Sequence, residues 1–196
     1  MLKLSLSSAL FLLLLVGLGG CAQKPRALIQ IDPFVPNPAV LQKSGLIVLE
    51  GIVDARKTKR VVGRIVKGGK TVTTLYTDQA LDEWFADALK KALEVEGCRV
   101  VSEMSDNKTA AQVKVEIDYL NATLDKSRFT GENLTAKAGA TLYIRQGNSK
   151  ITKHVSLVQS KWVPPFAGEE EVREYLQETL AGLVDEIRNN IDIYRF

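Results

Sequence analysis

Histidine is almost absent from this chain: His154 is the only one in 196 residues, which excludes any site that needs two imidazoles. Cysteine is nearly as scarce. Cys21 and Cys98 are too few for a disulfide scaffold. A net charge of +3, from 26 basic and 23 acidic residues, lacks the excess that would make the whole surface a nucleic-acid binder. No apolar run reaches the ~20 residues that a membrane-spanning helix needs. What is present is an ordinary globular composition, 45% hydrophobic and 25% charged, of a size for one domain.

The first residues depart from that average. Lys3 gives a positive start, Ala9 to Leu18 form an apolar run, and Gly19-Gly20 are the small residues that precede a signal-peptidase cut. Residues 1–20 therefore read as an export signal. Leu18-Gly19-Gly20-Cys21 resembles the lipobox of bacterial lipoproteins, a leucine and two small residues before an obligatory cysteine. The resemblance implies cleavage before Cys21, a diacylglycerol on its sulfur and an acyl chain on its freed amine, with no other cofactor. Ala22 stands where, by the same family's sorting rule, an aspartate would retain the protein in the inner membrane, so the expected location is the outer membrane, facing the periplasm. Cys98 follows Gly97 just past a predicted helix C-terminus, an electrostatic setting that does not favour a reactive thiolate; it reads as a small buried side chain.

Residues 21–44 carry Pro25, Pro33, Pro36 and Pro38 without sustained periodicity and read as an acylated cysteine on a stiff tether, with Leu28-Ile29 and Phe34-Val35 able to lie along a domain surface. Residues 45–196 read as one domain. Leu46 to Val53 suggests a buried strand, and Lys67-Gly68-Gly69-Lys70 between β-branched segments suggests a hairpin. A first helix, capped by Thr77 or Asp78, places Leu81, Trp84, Phe85, Ala88, Leu89, Ala92 and Leu93 on one stripe and stops at Gly97. Ala111 to Leu124, with Val113, Val115, Ile117 and Tyr119 on one face, begins a three-strand meander. Its second strand alternates Leu134, Ala136, Ala138, Ala140, Leu142 and Ile144 inward, and Gly147-Asn148 turns into a third strand ending at Trp162. Glu169-Glu170-Glu171 opens a second helix whose stripe runs from Val172 to Ile191. The order predicts an α+β fold, a mainly antiparallel sheet with two amphipathic helices packed on one face.

The lipobox, the strand ending Val53-Asp54-Ala55-Arg56, the helix closing on Gly97-Cys98-Arg99-Val100, the segment Ala111 to Ile117, the meander and the terminal helix resemble the YajG-like family of small outer-membrane lipoproteins. The resemblance implies a periplasmic α+β domain without established catalysis, and brings no site residue other than Cys21.

Arg56, Lys57, Lys59, Arg60, Arg64, Lys67 and Lys70 crowd a stretch without acidic residues. Such a patch suits an anionic envelope surface, or a solvated hairpin whose lysines deter edge pairing. Gly69-Lys70-Thr71 is not a phosphate loop, because Arg64 occupies the position of the required glycine and a β-rich segment follows; nucleotide binding is excluded with it. His154 is expected to face solvent, without neighbours at metal-ligand spacing. No serine lies in a nucleophile elbow, and no carboxylate pair is brought together by spacing. Trp162 and Phe166, flanking Pro164-Pro165, are expected to fold as lids over the sheet end, with an exposed partner-binding loop as the other reading.

The resulting expectation is a lipid-anchored, non-catalytic accessory module whose partners are the membrane and an anionic envelope component or protein complex. The alternative is a lipid or small-molecule carrier, which needs an apolar cavity between sheet and helices.

Overall fold

A computed structural model describes residues 25–37, 45–102, 110–126 and 131–193; the export signal and Cys21 lie outside the described residues. The elements are β1 (Arg26–Leu28), β2 (Gly45–Asp54), β3 (Val61–Lys67), β4 (Lys70–Tyr76), α1 (Leu81–Val95), β5 (Cys98–Val101), β6 (Ala111–Asp125), β7 (Glu132–Gln146), β8 (Ser149–Val163) and α2 (Glu169–Ile193).

The meander is the frame. β6, β7 and β8 are 15 residues each and pair antiparallel along their lengths. The other edge of β6 is shared: β2 lies parallel to it over Ala111 to Ile117, and β3 lies parallel to it over Ala122 to Asp125. Residues 45–67 thus run along β6 in one direction, interrupted by an excursion at 55–60. β5 extends the sheet beyond β2, and β4 then β1 extend it beyond β3. The fold is α+β as expected, but the sheet is mixed: the meander and the β3–β4 hairpin are antiparallel, whereas the pairings of β2 and β3 with β6, of β2 with β5 and of β1 with β4 are parallel. Parallel neighbours cannot be joined by a tight turn, and α1 lies in the connection that carries the chain from β4 across the sheet to β5 beside β2.

Straight alternation in β6 fails at Asp118. A β-bulge between Ile117 and Tyr119 inserts one residue against β7, and one inserted residue exchanges the two faces of a strand. Val113, Val115 and Ile117 are buried before it, and Leu120, Ala122 and Leu124 after it. Tyr119, expected beside Ile117, lies instead on the outer face over Gly139, where a Cβ would sit 2.5 Å from its ring.

Beneath the helices the inward residues of β7, from Leu134 to Ile144, are all buried, as their alternation predicts. The small Ala136, Ala138 and Ala140 let α2 approach closely; a Cβ on Gly182 of α2 would meet Leu157 of β8 at 2.8 Å. α2 packs on β6, β7 and β8, α1 packs on β2 and β5, and the helices touch each other, with Arg188 Nε of α2 3.1 Å from Glu96 Oε1 at the end of α1. α1 starts two or three residues later than the expected cap at Thr77 or Asp78 implies. Ala80 is its N-cap and makes no side-chain cap, while Thr77 Oγ1 accepts from the Gln79 N–H in the preceding turn. A cap contributes about 1 kcal/mol and each buried Leu or Phe roughly 1.5–3 kcal/mol, so burial of Leu81, Phe85, Leu89 and Leu93 decides where α1 forms.

Much of the expected tether is folded. β1 pairs with β4, and Ile29, Ile31 and Phe34 are buried. Residues 29–34 clasp both helices: Gln79 exchanges two hydrogen bonds with the Ile31 backbone, Trp84 Nε1 donates to Asp32 O at 2.8 Å, and the Asp32 N–H donates to Gln177 Oε1 at 2.9 Å. Phe34 meets Trp84 edge-on. The prolines prevent regular structure here, but the apolar residues between them still find the core.

Arg56 closes the excursion between β2 and β3. It is 7% exposed, with Nε 2.8 Å from Asp54 Oδ1 and Nη2 2.8 Å from Asp54 Oδ2, and it also donates to the carbonyls of Val61 and Lys59. Burial alone would raise the Asp54 carboxyl, but hydrogen bonds and charge from Arg56 outweigh it and hold that carboxyl below its usual value. Arg56→Met, which strands a buried carboxylate, is expected to cost about 3–5 kcal/mol, much of it recovered when Asp54→Leu is added. Urea titrations of the single and double variants measure this. Because the folded carboxyl is the more acidic, its contribution is complete above the unfolded value of about 3.9 and is lost as pH falls through the folded one; Asp54→Asn should lack that acid-dependent part. Gly63→Ala tests the shared edge: a Cβ would lie 2.6 Å from Ala122 O of β6, and the expected loss is about 1–3 kcal/mol in the same titration.

Candidate functional site

The structure does not bring the seven basic residues into one patch. Arg56 is buried in its ion pair with Asp54 and offers nothing to an external anion. Lys57, Lys59 and Arg60 are exposed on the excursion, halfway along the sheet. Arg64 is exposed on the outer face, 3.4 Å from Thr123 Oγ1. Lys67 and Lys70 are exposed at the tip of the β3–β4 hairpin, some 20 Å from the excursion at the usual rise of a strand. The Asp54-x-Arg56 spacing was the available signal, since two residues apart on an extended chain share a side.

That hairpin tip shares an end of the sheet with the segment after β8. Val66, Asp125, Asn133 and Trp162 form one cross-strand row over β3, β6, β7 and β8, so Trp162 stands about 14 Å from the hairpin. Lys126 ties the two together. Its backbone N–H donates to Val66 O at 2.8 Å, and its ammonium donates to Ala167 O.

The aromatic pair is not folded inward as expected. Trp162 is 61% exposed, with its ring edge against Gly131, and Phe166 is 94% exposed. Pro164 to Ala167 form a tight turn closed by the Ala167 N–H on Pro164 O at 3.2 Å. Pro165 suits the second position of a type II turn, and the third position requires a positive φ that favours glycine; Phe166 occupies it at φ 81°. The turn is held on both sides. After it, the Gly168 N–H donates to Glu171 Oε2 at 2.6 Å, the carboxylate half of a capping box, which holds the Glu171 carboxyl below its usual range. Glu170 is occupied by Arg173, which also pairs with Asp32. A solvent-facing Phe in a glycine conformation contributes neither burial nor backbone comfort to the fold.

The outer face of the meander is otherwise mostly polar, with Val158 exposed among its polar residues. Thr141 Oγ1 donates to Asp118 Oδ2 at 2.7 Å and lies 2.9 Å from His154 Nδ1. His154 is exposed, as expected, and the threonine proton is directed at the carboxylate, so these three do not form a nucleophile with its base. Tyr143 donates to Glu116, which Lys114 also binds, and the two hold the Glu116 carboxyl below its usual range. Among the described residues, a cleft of about 340 Å³ opens beside β1 at Arg26, Arg60, Tyr76 and Asp78, and another of about 260 Å³ on the outer face at Arg64, Asn121, Asp125 and Lys137. Cys98 is buried. Among the described residues no helix is long and apolar enough to cross a membrane.

The strained turn generates a stability prediction. Phe166→Gly relieves the positive φ and removes no buried surface, so it should stabilise the protein by about 1 kcal/mol, read as a higher urea midpoint; a loss of stability would show that the ring contributes to packing.

Comparison with curated proteins gives no match. Among solved structures, an uncharacterized protein is 14% identical with TM-score 0.53, covering 85% of this chain and 99% of its own. A Xanthomonas campestris protein of the DUF330 family is 16% identical with TM-score 0.52, covering 83% and 92%. At these identities the likeness is one of fold. The family model described as "Uncharacterized lipoprotein" matches residues 35–196, which takes in every element from β2 to α2: the chain belongs to the Lipoprotein_16 family of uncharacterized lipoproteins.

Proposed function

We propose that this lipoprotein is a YajG-like component of the bacterial envelope, acylated on Cys21, held in the outer membrane with its folded body in the periplasm, and acting there as a non-catalytic accessory module. Membership of a lipoprotein family, together with a leader ending Leu18-Gly19-Gly20-Cys21, carries this reading. Each buried methylene of an acyl chain contributes about 0.8 kcal/mol, and several chains on one residue make a firm anchor where a single chain is marginal. Confinement at the leaflet raises the effective concentration of the body for a membrane-bound partner without any new contact. The covalent acyl chains are its only prosthetic group in this account.

The carrier alternative is less well supported. Its cavity would lie between α2 and the sheet, where Leu134, Leu142, Leu176, Leu180 and Leu183 are each at most 1% exposed and pack as core. The anionic component, if one is bound, has Lys67 and Lys70 available on the hairpin tip rather than all seven basic residues.

Cys21→Ser tests the reading. Metabolic labelling with palmitate should mark the native protein and leave the variant unlabelled, and membrane fractionation should move the variant out of the outer-membrane fraction. A native protein without label, or a labelled variant, contradicts the proposed anchor.

A further inference from the structure

We infer that the sheet end carrying Trp162, Phe166, Lys67 and Lys70 is a second membrane contact, which seats the body directly on the phospholipid surface. The inference rests on the proposed acylation of Cys21 and adds an orientation to it.

Three independent features converge on this end. The first is the direction of the chain. β1 runs parallel to β4, with Arg26 opposite Thr74, and the Thr74 N–H donates to Pro25 O at 3.1 Å. Followed backwards, β4 leads to Lys70 at the hairpin tip, so the chain enters the fold from the tip side. Three residues separate Pro25 from Cys21, and the four Cα–Cα steps across them reach at most ~14 Å. A bilayer holding acyl chains on Cys21 therefore passes within that distance of Pro25, close to the level of the hairpin tip.

The second feature is the exposed aromatic pair. Trp162 is 61% and Phe166 94% exposed on one short turn. Phe166 is held outward at φ 81° by Pro165, the Ala167–Pro164 hydrogen bond and the Lys126 ammonium on Ala167 O. A strained backbone that displays an apolar ring suits a ring that inserts elsewhere. Tryptophan is the side chain that bilayer interfaces favour, with an apolar body and a polar N–H. The third is charge: Lys67 and Lys70 are exposed in the same end region, and each lysine near an anionic surface strengthens attraction about fivefold. Of the neighbouring carboxylates, Glu132 pairs with Lys126, Glu170 is paired with Arg173 and Glu171 caps Gly168; Asp125, opposite Val66, and Glu169, at the start of α2, complete the acidic groups of this end. Lipid is favoured over a protein partner because the proposed anchor brings lipid to this end.

The experiment uses the native acylated protein reconstituted into vesicles whose acyl chains are brominated, with tryptophan fluorescence as the readout. The chain has two tryptophans, and subtraction of a Trp162→Phe protein isolates Trp162 from Trp84. The expected result is a quenched, blue-shifted Trp162 signal. Phe166→Gly, which folds without the strained φ, should reduce the quenching in zwitterionic and anionic vesicles alike. Lys67→Glu with Lys70→Glu should reduce it only in anionic ones. An unquenched Trp162 in a protein that stays with the vesicles overturns the second contact while leaving the anchor intact, and points to a protein partner for the aromatic pair. A protein that carries no acyl chain and leaves the vesicles overturns the anchor instead. Quenching unchanged by the lysine substitutions in anionic vesicles would remove the hairpin tip from the contact.

Discussion

One edge of β6 has to be shared. A strand of 15 residues is longer than either partner on that side, so β2 covers its first half and β3 its second. Because both run parallel to β6, the intervening chain cannot turn back and must make an excursion. Closing that excursion in the interior demands a charge partner for Asp54, which Arg56 supplies. The same geometry sends β3 on to the far end of the meander, where its hairpin with β4 projects two lysines at the same end of the sheet as the close of β8. Dispersal of the basic residues and convergence of hairpin, aromatic turn and chain entry are thus two results of a single pairing constraint.

The core was legible wherever apolar spacing was regular. The α2 stripe from Val172 to Ile191 and the inward residues of β7 are buried as their periods require. Positions where a local interruption exchanges faces were not. Asp118 carries no sign in sequence that it is a bulge, yet it moves Tyr119 to the outer surface. Residues 25–37 were obscured by composition, because prolines signal the absence of regular structure but say nothing about whether Ile29, Ile31 and Phe34 are buried between them. Basic residues in a row suggested a patch, since sequence proximity conceals that seven residues of strand separate the excursion from the hairpin tip.

Phe166 illustrates the limit of reasoning from burial alone. A segment joining two buried elements, with two large aromatics, is more economical as a lid, and a stability argument selects that arrangement. The turn instead places the ring outward in a conformation suited to glycine. Departures of this kind from local consistency tend to mark functional positions, and in this molecule the departure coincides with the end from which the chain would meet its lipid. In the proposed arrangement, a lead of three residues between Cys21 and Pro25 makes the anchor short, so that the body is seated rather than suspended.

Seating has a direct physical signature. With the hairpin and Trp162 end against the bilayer, strands of 15 residues stand away from the surface and give a protein layer about 50 Å deep. Neutron reflectometry on a supported bilayer carrying the acylated protein measures that profile. The account predicts a layer of this depth in contact with the headgroups; a thin layer lying flat, or a body separated from the headgroups by a slab of water, would contradict it.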